Sequence, residues 1–147
     1  MSDISKELVK LRPYNEETDK SFIFATWLRA YYHGNGWRKG SQRSSDAPID
    51  LIGTIPKHDF MITYQKVIEA LLKKSQINIA CLKEDDDVIL GYSVSQGDIL
   101  HWVFVKDLWR KIGVSKMLIA KETKFVTHLT RLGRNIKPNE WRYNPFL

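Results

Sequence analysis

The residues around Gly113 form the arrangement with the clearest chemical potential. An apolar strand pattern, Ile99–Val105, runs into a basic turn, and an apolar helical pattern follows from Val114. The first turn of a helix offers unpaired N–H groups and the positive end of the helix dipole to an anion, and glycine lets backbone approach closely. The pattern predicts a phosphate-binding turn at Arg110–Lys116, while an ordinary strand-to-helix turn with solvated basic residues remains the alternative.

Two histidines are candidates for proton transfer. His101 lies in the apolar run Ile99–Lys106, and His128 lies in the later β-rich run Phe125–Thr130. Because the reference pKa of imidazole is near 6.5, either ring could accept a proton directly or through water. A packing role within a strand is the competing interpretation for both residues.

Apolar periodicity predicts the elements that must position these residues. In chain order they are a strand at Leu8–Tyr14, a helix at Glu16–Tyr32, a helix from Pro56 to Lys74, three strands at Ile77–Lys83, Val88–Ser95 and Ile99–Lys106, a helix beginning at Trp109 or Arg110, and a strand at Phe125–Thr130. The three short-looped strands predict an antiparallel meander. The strand, crossover helix and strand that follow predict a parallel pair formed by the fourth and fifth strands.

Length and composition predict one compact domain spanning residues 1–147. Hydrophobic residues make up 43% of the chain, and no apolar run approaches the roughly 20 residues of a membrane span. The N-terminus lacks the apolar segment of a signal peptide, so we expect a cytoplasmic protein. The single cysteine, Cys81, lies in an apolar run and is interpreted as a core residue. The histidines and acidic residues show no metal-ligand spacing, and we expect no metal.

The element order and the turn Arg110–Ser115 together resemble the GNAT superfamily of N-acetyltransferases. The family pattern Q/R-x-x-G-x-G/A is matched by Arg110 and Gly113, and Ser115 replaces the last small residue. The resemblance covers most of the chain. It implies an α/β (α+β) fold with a mixed, mainly antiparallel central sheet flanked by helices, in which the parallel pair surrounds the cofactor-binding crossover helix.

The resemblance also implies transfer of an acetyl group from acetyl-CoA (coenzyme A) to an amine on a small molecule or a protein. Phe104 and Val105 would contact the pantetheine arm, and a backbone N–H near Val105 would polarise the thioester carbonyl. The diphosphate would be held by the turn that comprises Arg110, Lys111, Ile112, Gly113, Val114, Ser115 and Lys116.

The C-terminal region departs from the family, because the usual asparagine and tyrosine spacing is absent. Tyr143 could supply the phenol that protonates the thiolate, although a packing role is the competing interpretation. With His101 it forms the predicted catalytic pair. The aromatic segment from Gly133 to Leu147 is expected to pack back on the domain, and its short ending resembles compact family members from bacteriophages.

The acceptor side is expected near the end of the first helix and the following loop. The candidate acceptor-binding residues are Tyr31, Tyr32, His33 and Trp37, for which helix termination and aromatic anchoring are the competing roles. Family members often dimerise, which leaves a homodimer open.

Two other functions compete with acetyl transfer. One is a catalytically inactive GNAT-like binding protein, which could be viral, that acts on a protein partner. The other is a nucleic-acid-binding domain, suggested by the net charge of +6. That charge is modest for such a role, and no helix-turn-helix or RNP-like pattern is present.

Overall fold

The chain forms a single six-stranded sheet with helices against both faces. The computed structural model describes residues 7–33, 56–110, 113–128, 140–144 and 147. The elements in chain order are β1 (Val9–Pro13), α1 (Glu16–His33), α2 (Lys57–Lys74), β2 (Gln76–Leu82), β3 (Asp85–Gln96), β4 (Ile99–Val105), a 3₁₀ turn (Asp107–Trp109), α3 (Val114–Leu118), β5 (Phe125–Val126) and β6 (Arg142–Tyr143).

The strands lie in the sheet in their sequence order, β1 to β6. The pairs from β1 through β4 are antiparallel, whereas β4 pairs with β5, and β5 with β6, in parallel. The parallel pairing is possible because the segment carrying α3 crosses over one face of the sheet between β4 and β5. The predicted fold class, a mixed and mainly antiparallel sheet with a parallel fourth and fifth strand, is confirmed.

The two long helices have residues suited to their ends. Glu16, Glu17 and Asp19 lie in the first turn of α1, and Lys73 and Lys74 lie in the last turn of α2. These charges complement the helix dipoles. Both helices occur where the apolar spacing predicts them.

Two apolar cores lie on opposite faces of the sheet. The larger core packs α1 and α2 against the sheet through large side chains that include Ile23, Trp27, Tyr31, Phe60, Ile68, Ile79, Tyr92, Val94 and Trp102. The smaller core, under α3, consists of Val9, Ala80, Leu90, Val105, Val114 and Leu118. The alternation of β4 between the faces follows from the two-residue period of a strand. Cys81 is buried, as the sequence predicts.

A buried ion pair joins β1 to the start of α1. Arg12 donates to both carboxylate oxygens of Asp19, at 2.7 and 2.8 Å, and the Asn15 amide donates to the same carboxylate at 2.8 Å. Burial alone would raise the pKa of Asp19, but the hydrogen bonds from Arg12 and Asn15 outweigh it and lower the pKa. The pair fixes the entry of α1 relative to the sheet edge.

The crossover helix begins later than the sequence predicts. Instead of starting at Trp109 or Arg110, the chain forms a 3₁₀ turn, closed by the Trp109 amide donating to the Lys106 carbonyl at 2.8 Å. Gly113 then adopts a left-handed conformation with φ of 99°, and the helix begins at Val114. A residue with positive φ cannot continue a right-handed helix, which accounts for the later start.

The fifth strand is shorter than its prediction. It comprises Phe125–Val126, whereas the sequence predicts Phe125–Thr130, of which residues 129 and 130 lie outside the described part of the chain. Thr127 and His128 leave the strand because their side chains turn toward His101 and Tyr64. Periodicity does not detect such a polar side-chain interaction.

The C-terminal segment adds a strand that periodicity did not predict. Arg142 and Tyr143 pair in parallel with Phe125 and Val126, and the Asn144 amide donates to the Val126 carbonyl at 2.9 Å. The expectation that this region packs back on the domain holds for residues 140–144. None of the described helices is long and apolar enough to cross a membrane.

Candidate active site

The strands β4 and β5 pair only briefly before they diverge. Among the described residues, their register covers Ile99 opposite Phe125 and Leu100 opposite Val126. The Thr127 amide still donates to the Leu100 carbonyl at 3.2 Å, and β4 then continues to Val105. In the part of the chain that the structure describes, no strand pairs with the second half of β4 on the β5 side, and we call this edge of β4 the β4/β5 gap.

His101 lies in a β-bulge where the gap begins. Trp102 pairs with Val94 and Leu100 pairs with Ser95, so His101 is an extra residue in β4. A bulge bends its strand and redirects a side chain, and bulges are common beside active sites. The bulge therefore places an imidazole at the point of divergence.

The backbone of β4 presents polar groups to the gap at alternate residues. The Lys106 amide donates to the Leu90 carbonyl at 2.9 Å, and the register from Trp102 to Val105 is unbroken. Because hydrogen-bonded and non-hydrogen-bonded pairs alternate in an antiparallel ladder, the N–H and C=O of Trp102 and Phe104 face β3. Those of Val103 and Val105 face the gap.

A chain of hydrogen bonds runs from the bulge into the larger core. His101 Nδ1 lies 2.9 Å from Thr127 Oγ1, which lies 2.9 Å from His128 Nδ1. His128 Nε2 is hydrogen-bonded to the Tyr64 hydroxyl on α2. At the other end, His101 Nε2 lies 3.5 Å from Gln96 Oε1. We call Tyr64, His128, Thr127 and His101 the relay chain.

The environment of the relay chain favours neutral imidazoles. Burial lowers the pKa of His101 to about 4, and the positive charge of Lys74 acts in the same direction. Burial also lowers the pKa of His128 to about 3, with a smaller contribution from His101. Burial raises the pKa of Tyr64. All three groups are therefore uncharged near neutral pH.

Aromatic side chains surround the His128 end of the relay chain. The ring of His128 lies 5.2 Å from the ring of Tyr31 and 5.3 Å from that of Trp27, measured between centroids. Trp27 in turn stacks on Trp102 at 5.2 Å. These rings supply the low-polarity surroundings that depress the histidine pKa values.

The predicted phosphate-binding turn lies after the far end of β4. Arg110 Nε donates to the Val105 carbonyl at 2.9 Å, which ties the turn to the end of the strand. Val114 is buried against the smaller core, Ser115 is half-buried and Lys116 is exposed. Lys111 and Ile112 lie outside the described residues.

The two residues predicted to contact pantetheine have different orientations. Phe104 packs its ring near Phe22 and Tyr92, at centroid distances of 6.2 and 5.7 Å, on the face covered by α1 and α2. Val105 packs in the smaller core under α3. Of the two, Val105 directs its backbone N–H to the gap, whereas its C=O accepts from Arg110. Val103 directs both its N–H and its C=O to the gap.

The structure describes the side chains of two of the four predicted acceptor-binding residues. Tyr31 is buried and contacts His128, and the Tyr32 ring lies 5.0 Å from that of Phe60. His33 is the last residue of α1, but its side chain lies outside the described part of the chain, as does Trp37.

Tyr143, the predicted proton donor, lies on β6. Its side chain is 41% exposed, and its charge would raise the pKa of Tyr64, which places it near the outer end of the relay chain.

Sequence reasoning missed Val103, Thr127, Tyr64 and Gln96 as parts of this site. The direction of the Val103 backbone depends on the register of β3 and β4, which periodicity leaves undetermined. Thr127 precedes His128 at the end of a predicted strand, and this adjacent polar pair was the available signal. Tyr64 is distant in sequence and lies within the helix predicted from Pro56 to Lys74, where an apolar spacing indicates packing rather than chemistry.

No protein-family model matches the chain, and no curated protein matches it. Several solved structures are similar to it. YjaB from Escherichia coli, solved in its apo form, has 17% identity and a TM-score of 0.46, and the match covers 75% of this chain and 60% of that one. The chain thus spans less than two thirds of the length of this relative.

Two further structures were solved with a coenzyme A compound. The yncA protein from Salmonella typhimurium, with its cofactor acetyl-CoA, has 13% identity, a TM-score of 0.40 and coverage of 75% of this chain and 58% of its own. The aminoglycoside N-acetyltransferase AAC(6')-Iy, in complex with CoA, has 17% identity, a TM-score of 0.38 and coverage of 92% and 76%. Similarity at this level assigns no residue a role in this chain.

Proposed function

We propose that the chain is a GNAT-type acyltransferase that transfers an acetyl group from acetyl-CoA to an amine. The observation that carries the proposal is the divergence of β4 from β5 directly beside a bulge that holds His101. This geometry combines an opening along a strand edge with a titratable group at its start. The resemblance of the sequence to the GNAT superfamily supports the same assignment.

The residues along the gap suit the chemistry of acetyl-CoA. The pantetheine arm carries amide groups, and the Val103 N–H and C=O and the Val105 N–H face the gap as a strand edge that can pair with them. The Val105 C=O already accepts from Arg110. Gly113 supplies a left-handed backbone at the predicted diphosphate turn, and Lys116 adds an exposed positive charge. The residues present therefore fit this substrate.

Acyl transfer needs a polarised thioester carbonyl and a route for protons. In the proposed reaction, a backbone N–H of β4 at the gap donates to the carbonyl oxygen as negative charge develops on it. His101, neutral at pH 7, is positioned by Thr127 to exchange a proton with the reacting groups. Tyr143 stays the proton donor predicted from the sequence; it lies near Tyr64, at the end of the relay chain opposite His101.

The acceptor is proposed to be an amine of a small molecule or a protein. The end of α1 supports this side of the assignment, because Tyr31 contacts His128 and Tyr32 lies one residue further along. Neither the contact of Tyr31 nor the position of Tyr32 selects one amine over another.

Calorimetric titration with acetyl-CoA and with free CoA tests the proposal. We expect wild type to bind both, and Gly113→Glu to lose binding by at least tenfold because it places a carboxylate and bulk at the diphosphate turn. Gly97→Glu is the matched control, since Gly97 also has a positive φ but lies in the β3–β4 turn with open space around it.

Circular dichroism and thermal melts confirm that both variants fold. A folded wild type that binds neither compound would overturn the proposal and favour a protein-binding role for the scaffold. Equal loss of binding in Gly113→Glu and Gly97→Glu would show that the diphosphate turn has no specific role in binding the cofactor.

A further inference from the structure

We propose that the relay chain moves protons between His101 at the gap and Tyr64 on α2, and that it serves as both base and acid in acyl transfer. The role in acyl transfer rests on the function proposed above. The relay itself rests on four side chains from β4, α2 and the segment after β5. They form a continuous series of hydrogen bonds from the gap to the outer side of the larger core.

One hydroxyl group links the two histidines, and this restricts their protonation. Thr127 Oγ1 lies 2.9 Å from Nδ1 of His101 and 2.9 Å from Nδ1 of His128. A hydroxyl has a single proton, so it can donate to only one of the two nitrogen atoms. Thr127 Oγ1 also lies 3.5 Å from the His101 carbonyl oxygen, which is a longer contact than those with the two ring nitrogens. In the relay, the hydroxyl donates to one ring nitrogen and accepts from the other, so the two neutral rings hold opposite tautomers, one protonated at Nδ1 and the other at Nε2.

The restriction leaves two arrangements that differ in the direction of every hydrogen bond. In the first, His101 Nδ1–H donates to Thr127, Thr127 donates to His128 Nδ1, and His128 Nε2–H donates to Tyr64. His101 Nε2, which lies 3.5 Å from Gln96 Oε1, then carries a lone pair that can accept a proton. In the second, Tyr64 donates to His128 Nε2, His128 Nδ1–H donates to Thr127, and Thr127 donates to His101 Nδ1. His101 Nε2 then carries a proton.

The relay acts as the base when the first arrangement converts into the second. As the amine attacks the thioester carbon, its proton is bound by His101 Nε2, and each proton of the relay shifts one bond toward Tyr64. The Tyr64 hydroxyl accepts the proton from His128 and gives its own to solvent by way of the Tyr31 hydroxyl, to which it is hydrogen-bonded. The number of protons on the relay is unchanged.

The relay acts as the acid when the second arrangement converts back into the first. When the C–S bond breaks, the sulfur leaves with the electron pair and takes the proton from His101 Nε2. Each proton then shifts back by one bond, and Tyr64 regains a proton from solvent by way of Tyr31. The relay returns to its first arrangement, and the products are the amide and the free thiol of CoA.

The surroundings favour this neutral shift over a stable imidazolium. His101 is 1% exposed and Thr127 is 3% exposed, so a charge held there would lack solvation. The titratable groups near the relay are Lys74 on α2, Tyr31 on α1 and Tyr143 on β6. Of these, Lys74 opposes a positive charge on His101. A shift along the relay avoids that charge.

Nuclear magnetic resonance of ¹⁵N-histidine-labelled protein tests the relay without an acceptor. Long-range ¹H–¹⁵N spectra at pH 7 report the tautomer of each ring. We expect His101 and His128 to hold opposite tautomers in wild type. Tyr64→Phe removes the hydroxyl at one end and should change the tautomer populations of His101, which it does not touch.

The hydroxyl of Thr127 must carry this effect. Thr127→Val, of nearly the same shape, should abolish the response of His101 to Tyr64→Phe, whereas Thr127→Ser should preserve it. A packing role for Thr127 would give the same response in all three backgrounds. Equal tautomers in the two rings, or a His101 that is indifferent to Tyr64→Phe in wild type, would overturn the relay.

Acetyl-CoA binding measured on the same samples separates this inference from the proposed function. Binding to a wild type whose rings are uncoupled would overturn the relay and leave the acyltransferase assignment in place. Coupled rings in a protein that does not bind acetyl-CoA would overturn the assignment to acyl transfer.

Discussion

At the scale of single residues, the most consequential feature is a pair of neutral histidines held by one threonine. His101 is placed by a bulge, His128 by the end of β5, and Thr127 contacts both rings. Burial disfavours the charged form of each ring and lowers its pKa. The arrangement places reactive groups at the gap at some cost in stability at low pH.

The lowered pKa values of His101 and His128 predict how the free energy of unfolding depends on pH. The pKa is about 4 for His101 and about 3 for His128 in the folded chain, against roughly 6.5 for each in the unfolded chain. Between pH 6.5 and 4 the unfolded chain binds more protons, so stability falls as the pH falls. We expect a loss on the order of 2 kcal/mol per histidine between pH 7 and pH 5 in urea unfolding.

His101→Gln isolates the contribution of one ring. This variant should be less stable than wild type at pH 7, since it disturbs the hydrogen bond to Thr127, but its stability should vary less between pH 7 and pH 5. His58→Gln, which replaces an exposed histidine of α2, is the control. An unchanged pH slope in His101→Gln would contradict the account of the buried pair.

At the scale of elements, the position of β4 depends on a close approach to β3. A Cβ atom added to Gly91 would lie 2.4 Å from the Phe104 carbonyl oxygen and 3.2 Å from the Val105 Cα. The contact with the Phe104 carbonyl oxygen is prohibitive for a carbon atom, whereas the contact with the Val105 Cα is tight, so only glycine permits this packing without a shift of β4. A larger side chain at position 91 would displace Phe104 and Val105. Val105 faces the gap, and Phe104 lies between it and Val103, which also faces the gap.

Gly91→Ala should therefore affect both stability and ligand binding. Overpacking predicts a loss of roughly 1–3 kcal/mol in the free energy of unfolding. The shift of β4 should also weaken acetyl-CoA binding, measured by calorimetry. Gly97→Ala is the control, because its Cβ meets nothing within 4 Å and its φ of 60° causes only local strain. Acetyl-CoA affinity that falls equally in both variants would contradict the role of β4.

The elements were largely predictable, and their ends were not. The apolar spacing from Phe22 to Tyr31 and from Tyr64 to Leu72 identifies α1 and α2 because both helices bury one face against the sheet. The predicted start of α3 was wrong because the left-handed conformation of Gly113 is a property of the folded backbone. The end of β5 was wrong because side-chain hydrogen bonds of Thr127 and His128 turn the chain away.

At the scale of the whole molecule, the order of strands creates the candidate site. The antiparallel strands β1 to β4 form the main part of the sheet, and among the described residues a crossover through α3 brings β5 alongside the first residues of β4. The rest of β4 is left with one edge facing the gap. A resemblance in the sequence anticipated this topology and the region of the turn after β4.

The whole-molecule arrangement also explains what the sequence could not supply. The relay chain joins residues separated by as many as 64 positions, and the contact of Tyr64 with His128 depends on how α2 packs on the sheet. The choice of Val103 as a gap-facing residue depends on the bulge at His101, which resets the register of β4. Neither is encoded in a local pattern.

The central claim is that the edge of β4 at the gap binds the acyl-CoA donor, and residue-resolved amide hydrogen exchange tests it most directly. The amides of Val103 and Val105 should gain protection of at least tenfold when acetyl-CoA is added, because they face the gap. The amides of Trp102 and Phe104, which face β3, should change much less. Protection that is absent from Val103 and Val105 while acetyl-CoA binds, or that is equal at all four amides, would contradict the claim.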